Sequence, residues 1–254
     1  MDMKFDLAQI APPPHVAFPM SAPMRACAAG SCDQCGVRDR AICADLPSGD
    51  REALSQIGRR VALRAGQTVM WEGDDSMVVA NVIEGTLKLS TSLGDGREQI
   101  VGVVYPSDFI GRPFGTLTPH SVTALTDARL CLFPRRAFDG FARSHGALQH
   151  RLLARTLDDL DRTRAWMLLL GRKSAREKVA TFLLDMGRRL PIDRDGTIEL
   201  PLSRQQVADI LGLTIETVSR QMNEMKRLGV IALPGRRGVR LIDAVALEAM
   251  AGGD

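Results

Sequence analysis

A chain of 254 residues can form one large or two medium domains, and 45% hydrophobic with 25% charged residues is ordinary globular composition, which excludes a fibrous or wholly disordered protein. No apolar run reaches the roughly 18 residues of a membrane span, and the first 20 residues lack the charged and apolar regions of a signal peptide, so a cytoplasmic protein with no membrane partner is expected. The net charge of +3 is unevenly spread: residues 1–171 hold 19 basic and 19 acidic side chains, residues 172–254 hold 14 and 11, and residues 203–240 hold 7 and 3, a local excess that suits a polyanion.

Residues 1–24 are proline-rich and aperiodic, with Pro12–Pro14 in a row, and are expected to be an extended or disordered arm. The cysteine segment, Cys27 to Cys43, follows. Short apolar runs then recur at Val61–Leu63, Thr68–Trp71, Val78–Ile83, Thr86–Leu89, Ile100–Val104, Val122–Leu125 and Arg129–Phe133. Gly/Asp turn signals such as Gly94-Asp95-Gly96 separate them, a pattern that predicts a small β-barrel or sandwich. From about Arg136 to Leu170 the period becomes helical, with Leu148, Leu152, Leu153, Leu157, Leu160 and then Trp166–Leu170 keeping one apolar stripe. A long helix with a narrow leucine stripe suits a homodimer seam, with Leu153, Leu157 and Leu160 as its core; packing against its own barrel is the alternative. Residues 174–190 form another amphipathic helix, stopped by Pro191, and Ile198–Leu202 is a short strand. The divisions expected are therefore 1–24, 25–135, 136–172 and 173–254, an α+β chain.

The last division carries a helix-turn-helix pattern. Ser203 caps a helix with apolar Val207, Ile210 and Leu211, and Gly212 ends it. Thr214 caps a second helix, Ile215–Leu228, with Glu216 and Thr217 in its first turn. In such a unit the second helix enters the major groove of double-stranded DNA and reads bases near its N-terminus. The side chains offered there are Glu216, Ser219, Arg220 and Asn223, types that read base edges. Val230–Leu233 and Val239–Ile242 flank Pro234-Gly235-Arg236-Arg237-Gly238, a hairpin whose Arg236 and Arg237 suit phosphate contact. No Walker A loop, Gly-x-Ser-x-Gly or His-Glu-x-x-His motif is present, so an enzyme is not expected.

Four of the five cysteines, Cys27, Cys32, Cys35 and Cys43, lie within 17 residues; the fifth is Cys131. A reduced compartment makes grouped cysteines metal ligands or redox groups more often than disulfides. Cys32-x2-Cys35 places two thiolates on one metal or cluster, and two more cysteines complete four-fold ligation. An iron–sulfur cluster, a structural zinc and a thiol switch all stay open on spacing alone. So does the register: Cys27-x4-Cys32-x2-Cys35 leaves Cys43 spare, and Cys32-x2-Cys35-x7-Cys43 leaves Cys27 spare.

From about residue 30 to 245 the chain resembles the Crp–Fnr family, and within it the Fnr-type oxygen regulators of alphaproteobacteria. The residues that carry the resemblance are Cys32-x2-Cys35-x7-Cys43, Cys131 within Ala128–Phe133, the run Trp166–Lys173, and Leu211-Gly212-Leu213-Thr214-Ile215-Glu216-Thr217-Val218-Ser219-Arg220. The resemblance implies a cyclic-nucleotide-binding-like β-roll sensor domain, a long dimerisation helix and a C-terminal winged helix-turn-helix. It implies a [4Fe–4S] cluster on Cys32, Cys35, Cys43 and Cys131, with Cys27 spare, that assembles without oxygen and promotes dimerisation. Oxygen then converts the cluster, the dimer weakens and DNA is released. Glu216, Ser219 and Arg220 map onto the family's base readers, which implies a TTGAT-type half-site, and RNA polymerase is implied as a further partner. A cyclic-nucleotide receptor is the alternative within the family, but Gly111-Arg112-Pro113-Phe114 has no acid after the glycine and His120 precedes Ser121.

Overall fold

The computed structural model describes residues 32–92 and 94–252. The expected N-terminal arm, Cys27 and the spare role given to it lie outside these residues. Eight strands with the expected turns form two antiparallel sheets: β1 (Arg59–Leu63), β8 (Ala128–Pro134), β3 (Val78–Glu84) and β6 (Phe109–Ile110) in one, and β2 (Thr68–Met70), β7 (Ser121–Ala124), β4 (Leu87–Ser92) and β5 (Glu98–Val104) in the other. Their inner faces close on Leu63, Val82, Leu87, Val122, Leu130 and Leu132. Period-two alternation puts these side chains on one face. The two-residue strand β6 is too short to show a period and was not expected.

A second core sits outside this roll. It joins Ile42 of the cysteine segment and Leu46 just after it to Leu54 of α1 (Ser48–Ile57), Phe138 of α2 (Arg135–Ser144) and Leu148 of α3 (Gly146–Arg172), over Val79 and Phe133 of the sheet. The helical stretch expected as one element is thus two, broken at His145, whose backbone leaves helical geometry at φ −124° and ψ 90°. The leucine stripe also divides. Leu148 is buried in the sensor core, Leu152 packs beside it, and Leu169 and Leu170 join the C-terminal core.

The C-terminal unit packs α4 (Ala175–Arg189), α5 (Arg204–Leu211), α6 (Ile215–Arg227) and α7 (Ala244–Met250) on a three-stranded sheet, β9 (Thr197–Glu199), β11 (Gly238–Leu241) and β10 (Ile231–Ala232). Neither α1 nor α7 was expected from the sequence. The C-terminal core also takes in Ile100 and Tyr105 from the β-roll, so the two units share packed side chains.

Candidate cysteine centre and nucleic-acid interface

Residues 32–47 run as successive turns. Cys35 N donates to Cys32 O at 3.3 Å, Arg38 N to Cys35 O at 3.0 Å and Ala41 N to Val37 O at 2.8 Å. This winding brings Cys32 and Cys35 to one side while Val37, Ala41 and Ile42 plug the loop into the sheet. Two polar groups hold it there. The buried Asn81 side chain accepts from Ile42 N at 3.4 Å. Arg51 of α1 donates to three carbonyls, Cys43 O at 3.4 Å, Ala44 O at 3.3 Å and Leu46 O at 2.8 Å. Cys131 arrives from β8, in register with Arg60 of β1 and Asn81 of β3. Gly58, just before β1, lets Phe133 and Cys131 approach: a Cβ there would stand 2.6 Å from the Phe133 ring and 3.4 Å from Cys131 Sγ.

Cys32, Cys35, Cys43 and Cys131 consequently line one pocket, with roughly 500 Å³ of atom-free space including its open mouth. Among the described residues its wall holds no carboxylate and no imidazole; Arg38, Arg51 and Arg60 are its charged members. Burial pushes the Cys43 thiol up to about 11, the nearby Cys32 and Cys35 add to this, and the Arg51 guanidinium opposes it. Four soft sulfur donors ringed by guanidinium groups fit an iron–sulfur cluster, whose thiolate ligands are all anionic. Arg51, Asn81 and Gly58 were missed by the sequence analysis, because nothing local in their neighbourhoods marks a contact with the cysteine loop.

The helix-turn-helix residues stand as follows. Ser203 and Gln206 form a reciprocal capping box on α5, and Gly212 closes that helix in the left-handed region at φ 60°. Thr214 Oγ1 accepts from Thr217 N at 3.3 Å at the start of α6. Val218, Met222 and Met225 turn inward, which leaves Glu216, Arg220 and Asn223 exposed and Ser219 half-buried along the outer face. The Glu216 carboxyl is held below the usual carboxylate range by amide and hydroxyl donors of the helix start. Arg236 and Arg237 are exposed between β10 and β11. On α3, Leu153, Leu157 and Leu160 are 59%, 52% and 42% exposed in the single chain, where no packing explains three leucines on one face.

A family model for the cyclic nucleotide-binding domain matches residues 60–145, and one for the Crp-like helix-turn-helix domain matches residues 177–250. The transcriptional activator protein FnrL of Cereibacter sphaeroides is 45% identical over 229 residues, covering 88% of this chain and 92% of that protein. The chain belongs to the Crp–Fnr family of transcription regulators. The nitrogen fixation regulation protein FixK of Bradyrhizobium diazoefficiens is 39% identical, covering 87% of this chain and 93% of that protein. The solved structure of FixK2 from Bradyrhizobium japonicum superposes with a TM-score of 0.72 at 32% identity, over 76% of this chain and 97% of that one. As a Crp–Fnr protein the chain is a DNA-binding transcriptional activator of the Fnr/FixK type, with the β-roll, long helix and helix-turn-helix of that fold. Both relatives are named as regulators. Among the described residues no helix is long and apolar enough to cross a membrane.

Proposed function

We propose that this Crp–Fnr regulator responds to oxygen through a [4Fe–4S] cluster on Cys32, Cys35, Cys43 and Cys131. In this reading the cluster controls homodimerisation and binding to palindromic TTGAT-type sites in cytoplasmic DNA, with RNA polymerase as the partner in activation. The carrying observation is the single pocket that collects Cys131 from the sheet and three cysteines from the loop. A cluster bound there would supply an oxygen-sensitive redox group. The protein's own residues supply the rest. Arg38, Arg51 and Arg60 bring positive charge to four thiolates, Leu54, Ile83 and Phe133 limit water, and Asn81 with Arg51 fixes the loop.

Zinc is the second reading. A single ion needs four ligands converging at about 2.3 Å. The four cysteines here share one pocket whose described lining offers no imidazole, whereas zinc sites commonly add histidines or a second Cys-x2-Cys pair. The nucleotide reading has less support. Gly111 is followed by Arg112, and Ser121 Oγ already accepts from Glu72 N at 3.1 Å.

The test is protein purified without oxygen, examined by visible absorption with iron and sulfide assays. Serine at Cys32, Cys35, Cys43 or Cys131 should abolish the cluster, because a hydroxyl poorly replaces a thiolate on iron, while Cys27→Ser should leave it intact. Stoichiometric zinc without iron overturns the reading.

A further inference from the structure

The carbonyl of Arg40 lies midway along the loop between Cys35 and Cys43, and two guanidinium groups of α3 meet on it. Arg151 Nη2 donates to Arg40 O at 3.2 Å, and Arg155 Nη2 donates to the same oxygen. Both arginines hold further partners. Arg151 Nη1 pairs with Asp45 Oδ2 at 3.2 Å, two residues past Cys43. Arg155 Nη2 also donates to Ser107 O at 3.1 Å, and its Nη1 pairs with Asp108 Oδ1 at 3.2 Å. Asp108 is itself fixed, since its Oδ2 accepts from Tyr105 N at 3.0 Å. The Arg155 and Asp108 side chains are only 21% and 17% exposed, which limits solvent screening of the pair.

The helix geometry separates this contact from the seam. Arg151 and Arg155 are one turn apart and share a face, whereas Leu153 is roughly 200° around the helix from Arg151. One side of α3 therefore touches the cysteine loop, and the other side presents Leu153, Leu157 and Leu160. At about 1.5 Å rise per residue, the 27 residues of α3 span about 40 Å. Arg151 and Arg155 occupy the same turns as Leu153 and Leu157, so a change of anchorage there acts directly on the seam. Tyr105, next in the chain of contacts, donates its hydroxyl to Met186 Sδ at 3.5 Å within the C-terminal core.

We infer that Arg155, with Arg151 one turn before it, is the positioning residue that transmits the state of the cysteine loop to the dimer helix by sharing the Arg40 carbonyl. This rests on the proposed reading of the cysteines as the sensing centre. An ordered loop holds the carbonyl where both guanidinium groups reach it, and α3 is pinned with its leucines outward. A displaced loop withdraws the shared acceptor, leaving Arg155 with Ser107 and Asp108 alone, and the helix is freed from the loop. Arginine suits this task because its planar fork bonds several acceptors at once, three in the case of Arg155.

A passive brace and a transmitting contact differ in one measurable ratio. A brace weakens the dimer equally with and without the cluster. A transmitting contact changes the ratio of the two dimer affinities, which is the coupling itself. The experiment measures dimer dissociation constants by sedimentation for the full chain, cluster-loaded under anaerobic conditions and cluster-free. The proteins are the unmodified chain, the double variant Arg151→Gln/Arg155→Gln, and Arg155→Lys, with iron and sulfide assayed in each. The double variant should load the same iron and sulfide per chain while the affinity ratio falls by about tenfold, within the usual range of coupling. Arg155→Lys should fall between, since an ammonium keeps the Asp108 pair but lacks the fork that also reaches Arg40 and Ser107. An undiminished ratio in the double variant, or equal weakening of both forms, overturns the inference. Should the double variant not fold, Arg155→Lys decides alone, and an undiminished ratio there overturns it. An unmodified chain with one affinity in both forms overturns the proposed function and this inference with it, and that is seen before any variant is made.

Discussion

Gly58 shows how a residue without chemistry of its own can matter to a site. Its missing Cβ is the space that the Phe133 ring occupies beside Cys131. Gly58→Ala should push that buried ring and cost about 1–3 kcal/mol, as overpacking does, measured by urea unfolding of the cluster-free protein. On the DNA side two arginine classes should separate. Arg220, exposed on α6, has the fork that matches guanine O6 and N7, a contact worth roughly 1–3 kcal/mol of discrimination. Arg236 and Arg237 at the wing tip should meet phosphates, which carry no sequence. Arg220→Ala should relax preference at one base pair per half-site, and Arg237→Ala should weaken all sites alike and flatten the salt dependence. A half-site panel on which Arg220→Ala keeps every original preference would remove Arg220 from the reading role. The loop cysteines stood out by their clustering and Arg220 by its place at the start of the second helix, but the set of four, with Cys131 in it, came only from the family resemblance. Arg51, Asn81 and Arg155 were not legible in the sequence, since an arginine bonding a distant carbonyl is the same letter as one facing solvent.

At the scale of elements, legibility followed signal strength. The capped helices α5 and α6 were placed almost to the residue, because Ser203, Gly212 and Thr214 each mark an end by a distinct physical device. The strands of the β-roll followed from apolar runs between turns. The helix α1, SGDREALSQI, buries little beyond Leu54, so its period is faint. The break at His145 was hidden because Arg135–Arg172 keeps apolar side chains at helical spacing across it. The caps make a prediction of their own. Ser203→Ala removes the acceptor for Gln206 N, and Thr214→Ala that for Thr217 N. Each should lower the stability of the C-terminal unit by about 1 kcal/mol, the usual worth of an N-cap. Thermal unfolding followed by circular dichroism measures it, and no loss for either variant would show that tertiary packing alone fixes the helix starts.

The whole molecule joins three parts through α3. Its first turns pack on the sensor core through Leu148, its last turns join the C-terminal core through Leu169, and its middle exposes Leu153, Leu157 and Leu160. The sequence predicted one continuous leucine seam. The structure spends the ends of that stripe on the chain's own domains and leaves the middle uncovered. A two-fold pairing of these leucines would bury each against its own mate, because an isologous interface repeats one patch on both subunits. It would also bring two copies of α6 into one assembly, and two such helices about one DNA turn apart read a palindrome. Both consequences can be tested with one substitution. Leu160→Glu places a carboxylate against its symmetry mate, where burial without a partner costs several kcal/mol. The variant should sediment as a monomer even when loaded without oxygen. It should also bind a full palindromic site no more tightly than an isolated half-site, whereas the unmodified protein should prefer the full site strongly. A normal dimer from Leu160→Glu would place the seam elsewhere on the molecule. A monomer that still prefers the full palindrome would show that DNA itself, and not α3, brings the two reading helices together.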